Sequence, residues 1–482
     1  MERWAEYRDR PSWLVRGLFV VLLLVLGWSG LRVLLGPSMS RSERTELEAR
    51  IDAIVETAME EGPITGVAIA VSRGLQVLHL EGYGFADVEN DLPVDPSTIF
   101  HIGSISKQFT AAAMLRLEAD GLVDLDAPAS RYLAETLGER AALFDDVTVS
   151  QLLNHTSGVR DYTIVPGWWT TLGIDVDPEG LVESFVNEPR DFPPGDRFSY
   201  SNSGYALAGM IVEAVSGQPF GGWLNEHLFV PNDLAQSAYC DDSRVMRNRA
   251  RGYRYAESGE LRHPRYVSMT QAYAAGGLCA SAEDLLRWTR LLTRGVITGD
   301  DGWDVMSTPG TLRDGSRIEY GYGIAVSYLE GRHRIGHIGG MLGFTGQMAH
   351  YSEEDVSIVV LTNTEGANAA RIETEIARAV LELAAEQVRD VELTPTELTS
   401  YVGAYDLGAT VVRVTEREGR LEAEVSTPGI EGRYVMLYQG DLTFFAQTDP
   451  SIIARFDEPA DGEPLAFTLE HKGITLRGRK VE

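Results

Sequence analysis

Gly103-Ser104-Ile105-Ser106-Lys107-Gln108-Phe109 opens an apolar stretch, 105–120, in which Phe109, Ala112, Ala113 and Leu117 recur at helical spacing before Gly121 supplies a stop. Ser104 therefore stands at a predicted helix N-terminus, and Lys107, three residues on, shares its face. Lysine is scarce in this chain: apart from Lys472 and Lys480, Lys107 is the only one, and 39 of the 42 basic residues are arginine. Arginine does not release its proton in a protein, whereas a desolvated lysine does. A serine one helical turn from that lysine is thus a candidate nucleophile with its activating base. A capping serine followed by a surface lysine would explain the helix start equally well. It would not explain why this position escaped arginine.

Outward from this segment, 44–60 carries Leu47, Ile51, Ile54 and Val55 at helical spacing, with Gly62-Pro63 as the stop. The runs 67–71 and 75–80 flank Ser72-Arg73-Gly74 as a hairpin continued by 82–85, and 318–327, 332–338 and 356–362 restore strand character after a long helix-rich and loop-rich stretch. Strands at both ends of a helical insertion predict one sheet built from both ends, an α+β arrangement. A helix over 370–387 closes that unit. Beyond a linker at 391–395, seven short runs (411–415, 421–425, 434–438, 442–445, 452–456, 465–469 and 474–477) predict an antiparallel meander able to close as a small barrel. The expected division is 1–40, 41–389 and 390–482.

The first of these parts carries an apolar run at 13–35, free of charge from 17 to 31, which approaches the roughly 20 residues that cross a bilayer. It is longer than an ordinary signal-peptide core, and no clear Ala-x-Ala cleavage site follows. Arg3, Arg8, Arg10 and Arg16 precede its uncharged core and Arg41, Arg44 and Arg50 follow the run, which favours an inside N-terminus. The expectation is an uncleaved single-pass signal anchor in the cell membrane with the body of the protein outside the cytoplasm.

A net charge of −29 over 482 residues, without any basic block, opposes binding to nucleic acid or anionic headgroups. Cys240 and Cys279 lack Cys-x-x-Cys spacing, so a zinc or thioredoxin-like motif is not expected, while one disulfide is open in an oxidising compartment. His333 and His337 lie on a predicted strand, where a spacing of four separates side chains by about 13 Å. No metal or cofactor is expected.

Two further clusters carry chemistry. Tyr200-Ser201-Asn202 follows the turn-rich Pro193-Pro194-Gly195-Asp196 and precedes an apolar helix, 204–215. A tyrosine hydroxyl relays a proton to a leaving group when a cation such as Lys107 makes its phenolate accessible, and Asn202 is suited to orienting that lysine or a substrate carbonyl. His337-Ile338-Gly339-Gly340 ends a strand whose glycines permit a close backbone approach, with the Gly340 N–H as an oxyanion donor.

Ser104-x-x-Lys107, Tyr200-x-Asn202 and His337-x-Gly339, in this order, resemble the serine β-lactamase-like superfamily, and most of all the class C β-lactamase-related hydrolases, which include esterases and D-amino-acid peptidases. Gln151-Leu152-Leu153-Asn154-His155-Thr156-Ser157-Gly158 and Tyr320-Gly321-Tyr322-Gly323 look like further family signatures, and Leu398, Tyr401, Gly403 and Tyr405 resemble the lipocalin-like barrel appended to some members. The resemblance implies a β-lactamase/transpeptidase-like fold with an all-helical insertion. It implies Ser104 as the acylated nucleophile, Lys107 and Tyr200 as base and proton relay, and Asn202, His337, Gly339 and Gly340 as substrate-binding positions. His155 is expected to order its loop. True β-lactamases and D-Ala carboxypeptidases usually have lysine where this chain has His337. Neutral imidazole would hold a substrate carboxylate more weakly, which shifts the expectation toward an ester, amide or peptide. The alternatives are a catalytically silent penicillin-binding-like protein that recognises cell-wall peptides or a partner, and a true β-lactamase.

Overall fold

The computed structural model describes residues 39–482 except 242, 257, 385–388, 408–410, 426–431, 448–451, 458–465, 472–473 and 482. The expected anchor at 13–35 lies outside the described residues, and among the described residues no helix is long and apolar enough to cross a membrane.

Helix α1 (Arg41–Glu61) begins at a capping box in which Ser40 and Glu43 satisfy each other's backbone N–H groups. Its Leu47, Ile51 and Val55, four residues apart, form one buried stripe. Strands β1 (Gly66–Arg73), β2 (Gln76–Asp87) and β3 (Leu92–Pro93) join β4 (Ala325–Leu329), β5 (Arg332–Met341), β6 (Phe344–Tyr351) and β7 (Val356–Thr362) in one antiparallel sheet ordered β3-β2-β1-β7-β6-β5-β4. The ends of the unit meet where Val67 pairs Thr362 and Arg73 pairs Val356, so the sheet is built from both ends.

Alternation along β1 divides the core. Val67, Ile69 and Val71 face α1 and helix α6 (Ala369–Val380), while Ala68 and Ala70 face the helical region. Each fully buried Val or Ile contributes about 1.5–3 kcal/mol by leaving water. The ion pair of Arg334 with the fully buried Glu373, at 2.6 Å, joins β5 to α6, and the Tyr351 hydroxyl donates to the same carboxylate at 2.8 Å.

Four helices complete the site-bearing part: α2 (Ser106–Ala119), α3 (Asn202–Ser216), α4 (Met269–Gly276) and α5 (Ala282–Thr293). Nearly every residue of α2 from Ser106 to Leu115 is buried, so it is a central helix enclosed on all sides rather than an amphipathic surface one. Helix α3 starts two residues earlier than its apolar pattern and ends at Gly217 in the left-handed region.

Two local expectations need correction, and one strand was not anticipated. The strand expected over 318–327 is confined to Ala325–Leu329, because the preceding Tyr320-Gly321-Tyr322-Gly323 turns back on itself: the Gly321 N–H donates to Ile324 O. The closing helix ends at Val380, where Leu381 caps it, rather than running to 387. Strand β6 had no sequence signal, because all eight of its residues are buried and no apolar/polar alternation marks it.

The C-terminal part is a closed eight-stranded antiparallel barrel. Seven strands coincide with the expected runs. The eighth, Gly403–Asp406, closes it by pairing Tyr405 with Lys480. Tyr405, Phe444, Phe456 and Phe467 fill the interior.

Candidate active site

Ser104 sits in a single 3-10 turn, Gly103–Ile105, that leads directly into α2. The turn is pressed against β5. Gly103 has φ +49°, and a Cβ there would lie 2.5 Å from Gly340 O; a Cβ on Gly339 would lie 2.0 Å from Ile102 O. Neither position accepts a side chain without separating the serine turn from the strand.

Lys107 is fully buried in the first turn of α2. Its Nζ donates to Asn202 Oδ1 at 2.8 Å and to Ala275 O at 2.9 Å, and lies 3.1 Å from Ser104 Oγ. Burial pushes its pKa down to about 7, against the opposing pull of Asp161. A neutral amine has two hydrogens and one lone pair. The Asn202 and Ala275 oxygens only accept, so the hydrogens are committed to them and the lone pair faces the Ser104 hydroxyl.

The orientation of the Asn202 amide follows from a residue that the sequence did not signal. Asp161, itself buried, accepts from the Asn202 backbone N–H at 3.3 Å and from its Nδ2 at 3.0 Å, which turns Oδ1 toward Lys107. Burial raises the Asp161 pKa, while the Thr163 and Asn202 N–H groups and Lys107 oppose that shift. Sequence offered only Asp-x-Thr after the Ser157-Gly158 turn, an ordinary capping pattern.

Tyr200 stands over the lysine, with Nζ 4.7 Å from its ring centroid. Its hydroxyl is buried and makes no hydrogen bond of full geometry, although the nearby Ser104 favours its ionised form. Burial dominates and raises its pKa, so the resting group is the phenol and not the phenolate expected beside a cation. His155 fixes this residue from both sides: its carbonyl accepts the Ser199 N–H at 3.0 Å, its Nδ1 accepts the Ser201 N–H at 3.1 Å, and its ring lies 4.3 Å from that of Tyr200. Burial, then Lys107, holds His155 well below the usual histidine range.

His337 is also buried, and burial with the nearby Lys107 pushes its pKa down to about 3. Nδ1–H donates to Ile338 O at 2.6 Å, and Nε2 accepts from the Tyr320 hydroxyl at 2.8 Å. Both ring nitrogens are therefore engaged, and the side chain has no charge to offer an anion. Ser104, Lys107, Tyr200 and Asn202 form one cluster, with His337, Gly339 and Gly340 on the adjoining strand.

Elsewhere, Cys240 and Cys279 are joined by a disulfide, with Cα atoms 5.4 Å apart. His101 is close enough to make a three-ligand metal set with them, a proximity invisible in their spacing. As a disulfide the sulfurs are not thiolates, so the arrangement does not fit a zinc ion.

The Beta-lactamase family model matches residues 51–382. Penicillin-binding protein 4* of Bacillus subtilis (strain 168) is 27% identical over 427 residues, covering 80% of this chain and 89% of that protein. A D-aminopeptidase of Brucella ovis is 28% identical over 329 residues, covering 66% of this chain, and the chain spans 60% of that relative's length. Among solved structures, a D-stereospecific amidohydrolase from Streptomyces sp. superposes with a TM-score of 0.60 at 25% identity, covering 70% of this chain and 99% of that one.

Proposed function

The chain belongs to the Beta-lactamase family of serine hydrolases, and from that membership we propose that it cleaves an amide or peptide bond, or an ester, through an acyl-enzyme on Ser104. The observation that carries this reading is the set of three oxygens around the buried Lys107 Nζ, which in the neutral amine leaves the lone pair for the serine hydroxyl.

In the proposed reaction, Ser104 Oγ attacks the substrate carbonyl carbon while its proton passes to Lys107 Nζ. The oxyanion is held by the Ser104 and Gly340 N–H groups. Collapse breaks the bond to the leaving amine or alcohol, which takes a proton through the Tyr200 hydroxyl, itself reprotonated from Lys107. Water then attacks the ester in the reverse sense, releasing the acid and restoring Ser104. A phenol that stays protonated at rest suits a relay better than a resting base.

Two relatives are named for D-amino-acid or D-stereospecific amide hydrolysis, which supports an amide substrate bearing a D-residue. The neutral, engaged His337 offers no cation for a substrate carboxylate, and this favours such a substrate over efficient β-lactam hydrolysis. The silent penicillin-binding-like alternative is disfavoured by Lys107, since a desolvated lysine is costly to keep without a catalytic return. We further propose that residues 13–35 anchor the protein, with its hydrolase portion outside the cytoplasm.

The test is labelling with a serine-reactive phosphonate, followed by turnover of D- and L-amino-acid amides, short-chain esters and β-lactams. The expected adduct is on Ser104 and absent from Ser104→Ala, with D-amides turned over fastest. No adduct on the wild type, or one that survives Ser104→Ala, would sink the hydrolase reading.

A further inference from the structure

Glu213 lies near the C-terminal end of α3, about 16 Å along the helix from Asn202 at 1.5 Å per residue. There it borders a cavity of about 440 Å³ whose walls include Phe220, Gly222, Tyr239, Thr270 and Tyr273. The rings of Phe220 and Tyr273 are 5.4 Å apart, and those of Phe220 and Tyr239 are 6.4 Å apart. Glu213 Oε1 accepts the Phe220 N–H at 2.7 Å; burial raises the pKa of its carboxyl, while that N–H and the Tyr273 hydroxyl favour the ionised form. The Tyr273 hydroxyl is buried within electrostatic reach of that carboxyl, yet no hydrogen bond of full geometry closes on it. Asp241 and the exposed Arg244 stand at the rim and offset each other. The net character is a half-buried carboxylate among three aromatic rings. That combination attracts an ammonium group carried on an apolar body, through charge, ring faces and loss of apolar surface to water.

The cavity also touches the catalytic base through one strained residue. Tyr273 has φ 38° and ψ −131° and kinks α4. A non-glycine residue held there costs of order 1–3 kcal/mol and persists only where the surroundings enforce it. The next carbonyl, Ala274 O, accepts from Thr110 Oγ1 at 2.7 Å, and the one after it, Ala275 O, accepts from Lys107 Nζ. A molecule that packs on the Tyr273 ring therefore bears on the segment that fixes one of the lysine's two hydrogens. Nothing in the hydrolysis proposed for Ser104 uses this cavity.

We propose that the cavity is an effector site for a small organic ammonium with an aromatic or branched aliphatic body, whose occupancy is transmitted to Lys107 through Tyr273, Ala274 and Ala275. The site is independent of the acyl donor that Ser104 takes.

Benzylammonium and its neutral counterpart benzyl alcohol are titrated by calorimetry into the full chain, into Glu213→Gln and into Gly222→Leu. Gly222 lines the cavity, and a Cβ there meets only Pro219 Cδ at 4.0 Å, so a leucine is accommodated at the cavity wall without a clash; thermal unfolding verifies that both variants are folded. The wild type is expected to bind the ammonium about tenfold more tightly than the alcohol, a difference of about 1.4 kcal/mol. Glu213→Gln should erase that preference, and Gly222→Leu should abolish binding. Saturating ammonium should change the phosphonate labelling rate of Ser104 severalfold in the wild type and leave Gly222→Leu unaffected. The proposal is overturned by no binding, by equal affinity for the alcohol, by binding that survives Gly222→Leu, or by a labelling rate indifferent to saturating probe. Should Ser104 not label at all, the hydrolase reading fails, and the calorimetry still decides whether the site exists.

Discussion

Asp161 accepts both N–H groups of Asn202, the backbone one at 3.3 Å and the side-chain one at 3.0 Å, through a single carboxylate oxygen. That pairing decides which end of the amide meets Lys107, so the acid sets the geometry around the lysine without touching it.

Asp161→Asn should lower kcat/KM by about 10²-fold, the scale expected when a positioned catalytic group drifts by about 1 Å. It should also move the pH profile. In the proposed mechanism the neutral lysine is the active form, so activity should rise with pH through a pKa of about 7. Asp161 raises that pKa, and removing its charge should shift the acid limb to lower pH. A profile of kcat/KM that falls in amplitude with no shift would assign Asp161 a packing role only.

Lys107→Arg keeps a cation and removes the base. Turnover should drop by about 10²–10⁴-fold, the range for general acid–base catalysis. Pre-steady-state acylation measured by stopped flow is the direct readout, and near-normal acylation would show that the proton leaves Ser104 by another route.

Gly103→Ala tests the contact between the serine turn and β5. The added methyl would lie 2.5 Å from Gly340 O on a backbone with φ +49°, so the turn must withdraw from the strand. If Gly340 supplies an oxyanion donor, acylation should slow by about 10²-fold or more. Because the change is local, phosphonate labelling should slow while the melting temperature changes little.

The Cys240–Cys279 disulfide closes a loop of sequence separation 39 beside the proposed effector cavity. Loop-closure arguments give such a bridge about 3–4 kcal/mol of stability. Denaturant unfolding of the Cys240→Ser/Cys279→Ser double variant should show an unfolding free energy lower by about that amount, and an unchanged value would show that the bridge adds nothing beyond the surrounding packing.

Much of the site was legible because its residues are chemically unusual where they stand. Lys107 is scarce by type, Ser104 is one turn away, and Tyr200, Asn202 and His337 lie beside turn-forming residues. Asp161 and His155 were harder to read. Their effect depends on what lies across the fold from them, and an aspartate after a turn or a histidine in a loop has many ordinary uses. Strand β6 escaped for a related reason: buried on both faces, it has no alternation to betray it.

The sequence by itself determined the periodicities that make α1, α2 and α3 helical, the two-ended supply of strands, the barrel's short runs and the pairing of one lysine with one serine. These are local properties, set by residues within a few positions of each other. Only the tertiary structure decided that Lys107 is stripped of water, that Asn202 and Ala275 take its hydrogens, and that His337 is neutral with both nitrogens engaged. Protonation and hydrogen-bond direction depend on burial and on partners that lie 95 and 168 residues away in the chain, and only packing brings those partners within 3 Å.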